Sequence, residues 1–314
     1  MINNEFNILV RLARKDKEGE IRSPRWLYPL AIEKMYAKGI SALIKSYIKE
    51  LNMGLEDKIE MWVKLNRRDS KQDDLKRGID TFREKMKALI LTYFGTGFVY
   101  GSRVDQIVEG TADKVMEYAL GQWKRQTTAV LGDPYNSLPS DWIEIKKFWM
   151  EENYNYIKKL AQEYNDKLDS ILVAGLLASW GYDDFIETIQ KLSNKMWGYR
   201  SGFLAMDQVG NLNSQVIEGY AKSIDNDEFM WNTMGDERVR GNPLGKYPDY
   251  VPSHYIMDRK IFKYSDTSVY SLDGKTWNKK TPIMEPLLPG RAPGCRCTAS
   301  MYWDNFIKRI GGSR

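Results

Sequence analysis

From residue 24 to residue 195 the chain reads as helix after helix, and that long run of one periodicity limits the fold more than anything else in it. Trp26, Leu27, Leu30, Ala31, Ile40, Leu43, Ile44, Tyr47, Ile48 and Leu51 recur mostly at steps of three and four, the spacing that puts apolar side chains on one helical face. Ser23-Pro24 predicts a helix start and Gly54 a stop. A second helix is expected over Asp74–Tyr93, broken by FGTGFVYG at 94–101, and a third over Ala112–Leu131, ending at the turn GDP, 132–134. The clearest stripe runs from Ile145 through Trp149, Ile157, Leu160, Tyr164 and Leu168 to Leu172. Asp141 with Glu144 gives it a capping-box start, and Gly181 closes it. A further helix is expected over Gly202–Ile224, with Arg200, Asp207 and Asn211 on a shared side and Gln208 beside them.

After Ile224 the period changes. Phe229, Trp231 and Thr233 alternate with polar or flexible residues, as in a half-buried strand. Ile261–Tyr264, Val269–Leu272 and Trp277 read as short strands, with Asp273-Gly274 as a hairpin turn. The expected class is α+β: an elongated, mostly helical N-terminal region over 1–199, then a small α+β module over 200–314 built on a short sheet. No repeat of 20–50 residues is present, so a solenoid is excluded.

The net charge of +5 is mildly basic and spread without a dense Lys/Arg block; it permits contact with nucleic acid without demanding it. The N-terminal MINNEFNILVRLARKDKEGE has no apolar core of a signal peptide, and the longest apolar stretches, Ala88–Phe94 and Ile171–Ala178, are too short to span a bilayer. Both cysteines, Cys295 and Cys297, sit one residue apart in the Gly/Pro-rich string PGRAPGCRCTA. A bridge between positions i and i+2 would be strained, which points to reduced thiols.

P-loop, dinucleotide-binding, serine-hydrolase and HExxH patterns are absent. With His254 the only histidine, mechanisms that need two are excluded. Two readings of the thiol pair remain open. Either the thiols simply pack in the loop, or they bind zinc together with His254, with Asp258 or Asp236 as a fourth donor. A zinc deaminase fits poorly, because the Glu of its HxE string is missing after His254 and the cysteine spacing is CxC. GDERVR, 235–240, reads by itself as a charged turn of locally paired ions.

In order, however, AMDQVGNLNSQ (Ala205–Gln215), MWNTMGDERVR (Met230–Arg240), His254 and PGCRCTA (Pro293–Ala299) closely resemble the C-terminal domain of the phage head morphogenesis family, the Mu F-like minor head proteins of tailed phages. The string residues are Asp207, Gln208, Asn211, Trp231, Asp236 and Glu237, and the likeness covers about 200–300. GNPLGKYPDYVPS, 241–253, separates the histidine from the RVR string farther than is usual, and Asp258-Arg259 stands where the family commonly has Asp-Gly.

The resemblance implies a non-enzymatic virion protein, made in the host cytoplasm and associated with the portal at one capsid vertex, acting in head assembly and in DNA packaging or ejection. The implied partners are the portal protein, the major capsid or scaffolding protein, and packaged DNA, with no stable membrane insertion. Trp26, Tyr28, Trp149 and Tyr156 are then expected on a portal-docking surface of the helical region. Arg238, Arg240, Lys246, Arg291 and Arg296 are expected to meet phosphates. His254, Cys295, Cys297 and Asp258 would form a clasp around one structural zinc. The competing reading is a zinc-dependent hydrolase or toxin-like enzyme working near Glu237 and His254.

Overall fold

The computed structural model describes residues 21, 23–68, 71–94 and 103–311. The expected break at 94–101 lies, beyond Phe94, outside the described residues. Among the described residues seven α-helices come first: α1 (Leu30–Asn52), α2 (Leu55–Asn66), α3 (Gln72–Phe94), α4 (Arg103–Leu131), α5 (Trp142–Leu177), α6 (Tyr182–Lys195) and α7 (Ser201–Ser223). One π-helical turn, Met196–Arg200, joins α6 to α7. Five short strands follow: β1 (Glu228–Asn232), β2 (Ile261–Lys263), β3 (Val269–Ser271), β4 (Trp277–Lys279) and β5 (Thr298–Met301). Helix α8 (Trp303–Gly311) ends the described chain. The class is α+β, as the change of periodicity after Ile224 implies.

The chain divides into two compact units. One draws on Lys34–Thr111 and Met150–Ala205; the other gathers Met1–Glu33, Ala112–Trp149 and Met206–Arg314. Neither unit is continuous in sequence, and the one that carries the sheet also includes the two earlier segments.

Among its described residues the first unit holds helices and no strand. Its apolar stripes bury Tyr36, Tyr47, Trp62, Phe82, Ile157 and Tyr164 almost completely. Buried hydroxyls need partners, and asparagines supply them: Tyr36 donates to Asn153 Oδ1 at 2.9 Å and Tyr47 to Asn165 Oδ1 at 2.8 Å. Gly54 separates α1 from α2, as expected, but the spacing gave no sign that α2 would follow as a helix of its own.

In the second unit the sheet is antiparallel in the order β4-β3-β2-β1-β5. Phe229 pairs with Phe262, and Trp231 with Ala299. The alternating residues Phe229 and Trp231 are buried, which is the period of two at work. The Asp273-Gly274 turn does link β3 to β4, with Asp273 Oδ1 accepting the N–H groups of Lys275 and Thr276, both at 2.8 Å. An aromatic stack fills the space behind: Trp123 lies over Tyr220 at 4.8 Å between ring centroids and over Trp303 at 5.8 Å.

The helix start expected at Ser23-Pro24 is not there. Residues 23–29 have no regular secondary structure, and α1 begins at Leu30. A residue before proline is pushed out of the helical region, and Pro24 and Pro29 impose this at both ends of the segment. The side chains of β5 then hold the strap: Trp26 N–H donates to Ser300 Oγ at 2.7 Å, and Thr298 Oγ1 donates to the Trp26 carbonyl at 2.6 Å. The strap lies along the outer strand of the sheet, where an exposed edge would otherwise invite pairing.

The loop between β4 and β5 docks on α7 at very short range. A Cβ added at Gly210 would lie 2.6 Å from the Cys295 carbonyl oxygen, and one at Gly290, where φ is +84°, would lie 2.7 Å from the Gly210 carbonyl oxygen. Helix propensity alone predicts that Gly210→Ala stabilises α7 by up to about 1 kcal/mol. The close approach reverses the sign: we expect a loss of about 1–3 kcal/mol in chemical denaturation.

Candidate metal centre

His254 stands at the start of the short 3-10 turn Tyr255–Met257, and its backbone N–H donates to the Arg240 carbonyl at 3.0 Å. Cys295 and Cys297 precede β5. In an extended strand their side chains would point to opposite faces. Here the chain turns instead: Cys295 N–H donates to the Ala292 carbonyl at 2.9 Å and Gly294 takes a φ of +67°. Both sulfurs then reach the same imidazole nitrogen, each 3.4 Å from His254 Nδ1. The donor atoms of the three residues lie within 4.8 Å of one another, and all three residues are buried.

The spacing suits a soft metal. With metal–sulfur and metal–nitrogen bonds near 2.3 and 2.05 Å, a tetrahedral ion sets its sulfur and nitrogen ligands about 3.6 Å apart. Cys297 N–H also points at Cys295 Sγ, 3.3 Å away, the kind of backbone contact that favours a thiolate. Charge distribution inside the group is uneven. Cys295 is held well below the usual thiol range by a hydrogen bond from Cys297 and by the adjacent imidazole. Cys297 is pushed well above it, by that same bond and by burial. Burial works against a charged His254, but hydrogen bonds to Cys295 and Glu285 outweigh it and raise its pKa to about 9.

Glu285 is the residue that sequence reasoning missed. Its Oε2 lies 3.1 Å from His254 Nε2, on the far side of the ring from the sulfurs, and it is only 3% exposed. The single available signal is a lone carboxylate inside the apolar string PIMEPLL, since a buried charge needs a partner. Trp231 closes another side of the imidazole, edge to face, with ring centroids 5.7 Å apart.

Against this geometry the comparisons with known proteins add little. No family model matches the chain, and no solved structure does. A curated protein of Haemophilus influenzae, described as an uncharacterized protein, is 25% identical over 153 residues. The matched stretch is 49% of this chain and 28% of that protein's own length.

The strings singled out in the sequence meet around the same loop. Asp207 Oδ1 accepts the Gly294 N–H at 2.8 Å, and Gln208 donates to Asp207 Oδ2 at 3.0 Å. Asn211 Oδ1 accepts from Arg291 at 3.1 Å. Arg200, expected on the same side, pairs instead with Glu163 at 2.5 Å. Asp258 is not among the clustered donors. Its Oδ1 accepts both the Thr233 N–H and hydroxyl, at 2.8 and 3.0 Å, and Oδ2 faces Arg25 at 3.3 Å, so both oxygens are engaged elsewhere. Asp236 likewise binds Arg238 through the guanidinium, at 2.9 and 3.1 Å, and Glu237 pairs with Lys246 at 2.6 Å.

The arginines expected to face phosphates have protein partners. Arg291 donates to Asn211, Ser214 and Glu218. Arg296, placed between the two cysteines, makes a two-pronged pair with Glu33 at 2.6 Å on both arms. Arg240 donates to the Pro293 carbonyl and stacks on Tyr250. Of the aromatics expected on a docking surface, Trp26, Tyr28 and Trp149 are core residues, and Tyr156 is 40% exposed. Trp26 Nε1 donates to Asn213, Tyr28 to the Met206 carbonyl and Trp149 to the Gln208 carbonyl, so all three fasten onto α7. A stripe at helical spacing carries no label that separates a core face from a docking face, and the spacing therefore misassigned them.

Arg291→Ala should lower stability by about 2–4 kcal/mol through its lost charged hydrogen bonds, read by thermal or denaturant unfolding. As a phosphate contact the same residue would instead shift the salt dependence of DNA binding at constant stability.

Proposed function

We propose that this chain is a minor head protein of a tailed bacteriophage, located in the virion at the portal vertex and acting in head assembly and in DNA packaging or ejection. The observation that carries the reading is the convergence of the sequence strings. Asp207 and Asn211 from AMDQVGNLNSQ, Trp231 and Arg240 from MWNTMGDERVR, His254, and the loop PGRAPGCRC meet in one place. Strings that resemble a family only in order could lie anywhere in a fold. Strings that pack against one another form one structural module, which supports reading them together.

We further propose that His254, Cys295 and Cys297 bind one zinc ion per chain and that the ion's role is structural. Burial supports this: the three residues are 2%, 3% and 6% exposed, which leaves a substrate little access. Zinc would fasten the loop that bears Cys295 and Cys297 to the His254 turn, and so stabilise the module in a reducing compartment. One feature favours the hydrolase alternative. Three protein donors are the coordination of zinc sites that keep a position for water, whereas structural sites commonly have four. Glu237, its nominated acid–base, is 60% exposed and paired with Lys246.

Co-expression with the portal protein of the same phage tests the main reading. A stable complex on a sizing column, with zinc near one per chain in the same peak, is the expected outcome. A well-folded chain that ignores the portal protein would overturn it. Stripping zinc with a chelator should lower the melting temperature by roughly 5–10 °C, reversibly on adding zinc back. Zinc-dependent hydrolysis abolished by Glu237→Gln, with assembly intact, would establish the enzyme instead.

A further inference from the structure

The imidazole of His254 has two nitrogens, and the structure gives them different neighbours. Nδ1 faces both sulfurs at 3.4 Å; Nε2 faces the Glu285 carboxylate at 3.1 Å. We propose that His254 binds a soft divalent cation of the zinc type through Nδ1, and that Glu285 is the positioning residue that fixes this mode of binding. The inference rests on the metal reading given above and adds to it the atom that binds and the group that holds it in place.

A carboxylate accepts hydrogen bonds and does not donate them, so the nitrogen facing Glu285 carries the proton. Metal binding displaces the proton that the metal-free ring also carries on Nδ1, and the lone pair it takes there is aimed at the space between the sulfurs. Metal-bound imidazoles commonly have such a carboxylate or carbonyl behind them, which fixes ring orientation and strengthens the ligand. Glu285 is equipped for that task, because it is itself restrained. Its Oε1 accepts the Leu287 N–H at 3.1 Å, its backbone carbonyl accepts Lys280 Nζ at 2.8 Å, and its backbone N–H points at Met257 Sδ, 3.3 Å away. Pro286 follows it directly and stiffens the chain. Trp231, packed edge to face on the same ring, limits its rotation.

Two sulfurs and one nitrogen also define the ion. Thiolates select zinc-like ions over the hard, oxygen-seeking calcium and magnesium. Glu285 stays outside the ligand set, because the imidazole ring stands between it and the sulfurs.

A simple buried ion pair would look similar but behave oppositely. If Glu285 served only to hold a protonated His254, removing it would free the imidazole, and metal would bind as well or better. If it positions the ligand, metal affinity falls. The test uses the full chain, stripped of metal and titrated with cobalt(II), with zinc affinity measured by competition against a chelator. Glu285→Ala should weaken both metals 10–100-fold, and Glu285→Gln should weaken them less, because the amide oxygen still accepts from Nε2. Cys297→Ser should remove about half of the sulfur-to-cobalt charge-transfer band, the share of one of the two thiolate ligands. On the zinc-loaded wild-type protein, long-range proton–nitrogen NMR should show His254 with its proton on Nε2 and metal on Nδ1. That spectrum decides the matter even if Glu285→Ala fails to fold. Unchanged or tighter binding by the Glu285 variants, or metal on Nε2, overturns this inference while leaving the metal centre standing. A wild-type chain that binds neither cobalt nor zinc overturns the metal reading itself.

Discussion

The docking of the Gly290–Cys297 loop on helix α7 is the contact on which the rest of the sheet-bearing unit depends. Backbone meets backbone there, with Gly210 close to both the Cys295 and Gly290 carbonyls and Asp207 accepting the Gly294 N–H. A loop buried against a helix must satisfy its own polar groups, and α7 supplies the partners along one face: Asp207, Asn211, Ser214 and Glu218. The loop cannot shift by a residue without unpairing several of these at once. That fixed register sets the direction of both cysteine side chains and the entry of β5 into the sheet.

From the same loop, order passes outward in two directions. Arg296 points away from the thiols to Glu33, in the first turn of α1, and both residues are largely shielded from water. A paired charge in such surroundings holds position more than it adds stability, since removing either partner strands the other. β5, immediately beyond Cys297, takes the strap Ser23–Tyr28 on its outer side through the Thr298 and Ser300 hydroxyls. Segments from both ends of the sequence thus meet on one strand. The His254–Cys295–Cys297 cluster sits at the junction, and an ion bound there would lock the loop, the His254 turn and the Glu285 segment together.

Much of the fold was legible because helices and hairpins are local. Periods of three to four placed α3, α5 and α7 within a few residues, and period two placed β1. β5 was not legible. Thr298–Met301 is four residues long, buried throughout, and shows no alternation to detect. α8 and the separate α2 escaped for want of strong caps or breaks. The candidate centre was half legible. Scarcity singled out His254, Cys295 and Cys297, for a single histidine and a CxC pair invite one another. Asp258 was nominated by its nearness in sequence to His254, but its oxygens are held by Thr233 and Arg25, and Glu285, thirty-one positions from the histidine, holds the ring.

By itself, then, the amino-acid sequence determined the succession of elements, the reduced state expected of two thiols too near to bridge, and which few residues have metal-binding chemistry. Those properties depend on neighbours within a turn or two. Tertiary structure alone decided which aromatic faces are core, which carboxylate serves the imidazole, and where each arginine goes. Trp26, Tyr28 and Trp149 look like surface anchors until α7 covers them, and Arg291 and Arg296 look like phosphate ligands until acidic partners 73 and 263 positions away close on them. Charge and aromaticity are carried by single residues, but burial and pairing belong to the contacts that bring distant residues together.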